Sequence, residues 1–158
     1  SGTQALHYGA AMAPNYACGA NTGTAASPTF VVPGGTRSTL SSAVWMDIDS
    51  GAGVDTLSLW LLTAEANFEL WQKTPAYEMK QWHTIQADLS AFDGQAVSIE
   101  WRFDTVTSVS NDGEGVVIDD VSLTSTCTAA ACTSAADCND GLPFSTQACV
   151  EGGCVWSL

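Results

Sequence analysis

Two adjacent carboxylates, Asp119 and Asp120, interrupt a run of valine and isoleucine in residues 111–123 (NDGEGVVIDDVSL). A strand that buries one face does not hold a charge there without a partner, because an unpaired buried charge is costly. In a regular strand the two side chains point to opposite faces, so at most one of them faces the core. Two readings follow. Calcium collects about six to eight oxygens, and Asp119 and Asp120 are candidate ligands together with Asp47 and Asp49, with Asp112 and Glu114 close by in the chain. The other reading is a bulge, with one aspartate bonded to loop amides and the other solvated.

Nucleophilic and acid–base chemistry is poorly supplied. His7 and His83 are the only histidines and no spacing links them; His83, beside Trp82, reads as an exposed strand residue. The chain has neither HExxH nor GxSxG, and no pair of acids is singled out for glycoside hydrolysis. A noncatalytic protein is expected.

The six cysteines are Cys18, Cys127, Cys132, Cys138, Cys149 and Cys154, so five of them fall after position 126. That segment has few large aliphatic residues and cannot order itself by burial, which makes disulfides the natural cross-link. Zinc is disfavoured there, since the segment holds no CxxC pair and no histidine. Disulfides imply an oxidising compartment, and a secreted or cell-surface protein is expected.

Charge narrows the partners. Seventeen acidic residues against four basic ones, a formal net charge of -13, repel nucleic acid and anionic lipid. No stretch is apolar over the length of a membrane span, while 46% hydrophobic residues suffice for a real core.

The elements that must position these groups are strands. In residues 39–48, Leu40, Val44, Met46 and Ile48 share one parity, and in 55–62 Leu57, Leu59 and Leu61 do. Val97, Ile99, Trp101 and Phe103 alternate with polar residues, which assigns Trp101 to the core. Turn-like separators fall at 32–35, 49–53, 92–94 and 111–115. The expectation is an all-β fold, a two-sheet antiparallel sandwich over 1–126, with a small disulfide-stapled appendage over 127–158. Residues 64–80 are open to a short helix or a long excursion. If the first two strands form a hairpin, Trp45 falls opposite Trp60 on the outer face with Leu62 nearby, an apolar patch that calls for a cover or a partner. Trp71, Trp82 and Trp156 are left unassigned.

Read in order, SGTQALHYG (1–9), NYACGANTG (15–23), SPTFVVP (27–33), TLSSAVW (39–45), VDTLSLWL (54–61) and residues 82–105 form a recurring pattern that closes on Gly-x-x-Ile-Asp-Asp-Val. Together these segments, about 1–125, resemble the MAM-like jelly-roll modules of bacterial secreted and surface proteins. The resemblance implies a noncatalytic jelly roll, often with a bound calcium ion. Residues 132–156 resemble the cysteine-rich repeats that follow such modules in myxobacterial-type secreted proteins, with Pro143 and Phe144 where another cysteine usually stands. A bridge from Cys18 to Cys127 would tie that tail to the sandwich. Such modules usually carry a strand or two before the SGTQAL-like segment. A leading strand is therefore expected to be missing here or supplied by a neighbour at an open sheet edge.

Two functions follow. The first is a structural or adhesive subunit that docks further copies of itself through the open edge and the patch of Trp45, Trp60, Leu62 and Trp156, as in an extracellular fibre. The second is a carbohydrate-binding module of a larger secreted enzyme, with tryptophans stacked on sugar rings. Folding of the tail or of residues 64–80 over the tryptophans would serve neither.

Overall fold

The computed structural model describes residues 4–9, 15–127, 132–138, 146–150 and 153–157; the side chains of Cys127, Gln147 and 153–157 lie outside the description. Eleven strands are found among the described residues: β1 Leu6–Tyr8, β2 Thr22–Ala26, β3 Phe30–Val31, β4 Thr36–Asp47, β5 Thr56–Leu62, β6 Asn67–Gln72, β7 Trp82–Asp88, β8 Ala96–Asp104, β9 Gly115–Cys127, β10 Thr146–Val150 and β11 Gly153–Ser157.

One sheet runs β1-β9-β4-β7, and it faces a second sheet, β2-β8-β5-β6, in which short β3 also pairs with β8. This nested order is that of an antiparallel jelly roll. Its core is the inward parity of each strand: Leu40, Val44 and Met46 from β4, Leu57, Leu59 and Leu61 from β5, Val97, Ile99, Trp101 and Phe103 from β8, with Val116, Ile118 and Ile85 opposite. Residues 64–80 hold a strand, β6, followed by turns. Trp71 of β6 packs edge-on to Trp101 and donates its Nε1–H to the Tyr77 hydroxyl.

One expectation needs correction. β4 and β5 do not form a hairpin; they belong to different sheets, and β4 pairs instead with β7 and β9. Alternation specifies which face of a strand is buried, but not which strand lies beside it. The SGTQAL-like segment itself supplies β1, the edge strand of its sheet, with Leu6 opposite Ile118 and Tyr8 opposite Val116. Gly23 makes room for that docking, because a Cβ there would come within 2.2 Å of the Tyr8 ring.

After the sandwich comes a small cysteine-rich unit. Cys132 is bridged to Cys149, Cys138 is also disulfide-bonded, and β10 and β11 form a hairpin. Asp137 gathers it further: its carboxylate accepts from the amides and hydroxyls of Thr133 and Ser134 and is held below the usual carboxylate range by those bonds.

Cys18 is a free, exposed thiol and not the partner of Cys127. It borders a hollow with His7, Tyr8 and Tyr16, and Tyr8 sits opposite Val116 at the start of β9. Cys127 ends the same strand, roughly 35 Å away at about 3.4 Å per residue. A disulfide spans Cα atoms only to about 7 Å.

Candidate functional site

The two central aspartates sit on a bulge. In the β4–β9 ladder Ser41 is opposite Ser122 and Ala43 opposite Asp119, so Asp120 and Val121 share the single position of Ser42. Asp120 takes a φ of 50°, the left-handed conformation such a bulge requires, and its amide donates to Asp119 Oδ1 at 2.7 Å. Asp120 is exposed and Asp119 half-buried on the outer face.

The four carboxylates named as calcium ligands are not brought together. Asp47 is opposite Gly115, four register positions from Asp119, or roughly 13 Å along the strand. Asp47 Oδ2 accepts the Glu114 amide at 2.9 Å and pairs with Lys80 at 3.5 Å. Asp49 Oδ1 accepts the Gly51 amide at 2.8 Å and shapes the next turn. Each is a loop tether. Among the described residues no three His, Cys, Asp or Glu side chains are placed to hold one ion.

A buried charge cluster lies behind that turn, unsignalled by any local motif. Asp55 is 1% exposed; its carboxylate accepts from the Tyr16 hydroxyl and from the Asp49 amide at 2.8 Å. Lys73, 8% exposed, donates its ammonium to the carbonyls of Asp49 and Val54. Burial pushes the lysine below its ordinary range, opposed by the nearby charges of Asp55 and Asp49. Burial pushes the Tyr16 hydroxyl up, helped by its bond to Asp55.

Tyr16 keeps its proton in the folded chain above the pH at which an unfolded tyrosine loses it, about pH 10. The folded state therefore binds more protons there, and its stability falls as pH rises. Lys73 acts in the opposite sense, with stability rising through the interval below the ordinary lysine value of 10.5. Comparison with Tyr16→Phe isolates the tyrosine, since both proteins keep Lys73. Tyr16→Phe is expected to cost about 1.5–3 kcal/mol at pH 8, the range for a bond to a charged group. In urea titrations that gap should narrow above pH 10; a constant gap from pH 8 to 11.5 contradicts the assignment.

The expected aromatic patch is divided between the two outer faces. Trp60 lies outside the β2-β8-β5-β6 sheet, where the Arg102 guanidinium sits 4.4 Å from its ring centroid and its Nε1–H donates to Ser58 Oγ at 2.8 Å. Leu62 is on that sheet also, opposite Asn67 and Ser98. Trp45 lies outside the other sheet, directly opposite Trp82 of β7. The side chain of Trp156 is outside the described residues.

Register extends that pair into a row across the whole sheet: His7, Val117, Trp45, Trp82. Cβ atoms of directly opposed residues are about 4.5–5.5 Å apart, so the two indoles lie side by side. Trp82 is 55% exposed and Trp45 half-buried. Two residues along each strand come Asp119, Ala43 and Thr84, and then Ser122, Ser41 and Gln86. The face is an aromatic strip bordered by a ladder of polar groups. The histidines serve as tethers: His7 Nε2 donates to the Glu114 carbonyl at 3.0 Å, and half-buried His83 donates to that of Glu78 at 2.7 Å while packing edge-on to Tyr77. The exposed position expected for His83 is thus corrected.

No family model matches the chain, and no curated protein does. Two solved structures align with the chain at a distance. A cyclase from Fischerella sp. TAU in complex with 4-(1H-indol-3-yl)butan-2-one aligns at 21% identity and a TM-score of 0.43, over 63% of this chain and 53% of that one. The EclA C-terminal domain, a sugar-binding protein, aligns at 14% identity and a TM-score of 0.41, over 78% of this chain and 79% of that one. Likenesses this remote carry no functional argument.

Proposed function

We propose that this chain is a noncatalytic carbohydrate-binding module of an extracellular protein, with the outer face of the β1-β9-β4-β7 sheet as its platform. The observation that carries the reading is the cross-strand pair of Trp45 and Trp82. Flat indoles present a large, rigid apolar surface at low entropic cost, suited to the apolar face of a sugar ring. Thr84, Ser41, Gln86 and Ser122 flank the strip with donors and acceptors for hydroxyl groups. A net charge of -13 opposes acidic polymers, so the ligand is a neutral polysaccharide. The disulfides of the tail fit an oxidising, extracellular setting.

Native gel electrophoresis through neutral polysaccharides (β-glucan, mannan, xylan), with pull-down on cellulose and chitin, tests this. The chain should be retarded in at least one, and Trp82→Ala should weaken that binding about tenfold or more, the loss of an interface anchor worth about 2 kcal/mol. Trp60→Ala should bind as the parent does, and alginate should retard neither. Equal mobility in every gel, or full retardation of Trp82→Ala, overturns the proposal. Sedimentation of the purified protein as large, non-dissociating assemblies would favour the self-associating subunit in its place.

A further inference from the structure

The outer face of the β1-β9-β4-β7 sheet has a dent beside its tryptophans. Ala43 shares that face of β4 with Trp45, two residues or about 7 Å along the strand. A methyl group next to an indole leaves a step down toward the sheet. Register closes the step on its other sides. Asp119 of β9 and Thr84 of β7 stand directly opposite Ala43, each with its Cβ about 4.5–5.5 Å away, and Ser41 follows along β4. Ala43 is half-buried and Thr84 exposed, so the floor and that wall both meet solvent. Asp119 is fixed in place, since its Oδ1 accepts the Asp120 amide at 2.7 Å. Away from Ala43 the same side chain borders an open hollow with Gln4, Ala5 and Val121.

We infer that this dent is a subsite for the hydroxymethyl group of a hexopyranose, so that the polysaccharide is built of hexoses, a glucan or mannan, and not of xylose. The inference rests on the sugar-stacking role proposed for Trp45 and Trp82. A ring stacked on the indoles keeps its own hydroxyls near the ring plane, at the edge of the strip. The hydroxymethyl is carried on an extra, rotatable carbon and can drop below that plane into the step. Its CH₂ then rests on the Ala43 methyl. Its O–H donates to the Asp119 carboxylate, a charge-assisted bond, and its oxygen accepts from the Thr84 hydroxyl. Xylose lacks this carbon and would cover the carboxylate without supplying a donor, the kind of mismatch that a polar subsite rejects most strongly. A uronic acid, with a carboxylate at that carbon, would meet Asp119 charge to charge.

The β-1,4-linked hexaoses of glucose, mannose and xylose test it on the full chain, because xylohexaose has the backbone of cellohexaose without the hydroxymethyl groups. The readout is the Trp82 indole signal in ¹⁵N-resolved NMR spectra, assigned by its loss in Trp82→Ala. At least one hexose chain should shift that signal saturably, with a Kd about tenfold or more below that of xylohexaose, the worth of a hydrogen bond to a charged group. Ala43→Leu, which fills the dent, and Asp119→Ala, which removes its acceptor, should each cut that preference to about twofold or less. Asp119→Asn, which can keep the bond to the Asp120 amide, replaces the alanine variant if the bulge does not form, and should lower the preference also. Trp60→Ala, on the other sheet, should keep it. The inference is overturned if xylohexaose binds the parent chain as tightly as both hexose chains, or if the preference survives Ala43→Leu. If none of the three chains moves the Trp82 signal, the platform itself is refuted and the subsite with it.

Discussion

Asp55→Ala should lower the unfolding free energy by about 2–5 kcal/mol, because it strands two donors at about 1–3 kcal/mol each. Among the described residues Asp55 is the only fully buried carboxylate. Its loss takes an acceptor from the Tyr16 hydroxyl and from the Asp49 amide, and it removes a nearby negative charge that favours the Lys73 ammonium. Adding Tyr16→Phe to Asp55→Ala should cost less than the sum of the two single changes, because one stranded donor is then gone. Urea titration reads both effects as a shift of midpoint at constant slope. A loss under about 1 kcal/mol for Asp55→Ala, or a fully additive loss in the double variant, would mean that the carboxylate does not hold the cluster together.

Gly115→Ala should cost about 3 kcal/mol or more and release β1 from the sandwich. The glycine has a φ of 96°, and a Cβ built on it lies 2.0 Å from the carbonyl oxygen of Tyr8, a backbone atom that cannot rotate away. Left-handed strain alone is worth about 1–3 kcal/mol. Displacing β1 adds the loss of Tyr8, whose ring packs 4.5 Å from that of Phe103, centroid to centroid. Gly94→Ala is the control: its φ is 71°, with no atom within 4 Å of the added Cβ. It should cost only about 1–2 kcal/mol, the local penalty. Hydrogen exchange at the amides of His7 and Tyr8 should accelerate in Gly115→Ala and stay slow in Gly94→Ala. Equal costs for the two variants would show that β1 tolerates the intrusion.

The Asp-Asp pair shows how a motif can be read for its chemistry and turn out to be about geometry. Sequence offered calcium or a bulge. The bulge is present, and Asp120 is among the few non-glycine residues with positive φ. Local backbone bonding by aspartate makes that conformation affordable. No inspection of residues 111–123 alone could have shown that Asp47 lies roughly 13 Å from Asp119, because that distance is a matter of strand register.

The charge cluster was illegible for a different reason. It joins Tyr16, the turn at 49–55 and Lys73, segments distant in the chain, and none has a local pattern that marks it as buried. Trp45 was legible as an outward residue, but its neighbour was misassigned to Trp60 and proved to be Trp82.

By itself the sequence determined the face of each strand. A period of two residues places Leu40, Val44, Met46, Leu57, Leu59, Leu61, Val97, Ile99, Trp101 and Phe103 inward, and all are buried. It also determined that the cysteine-rich segment is stapled, since too little apolar surface was present to order it otherwise. Only the tertiary structure decided which strands are neighbours, and with that which tryptophans meet, where the aspartates fall and what shares the interior with Trp101. The physical reason is that alternation is a property of one strand, whereas pairing depends on how the whole chain closes its two sheets over a common core.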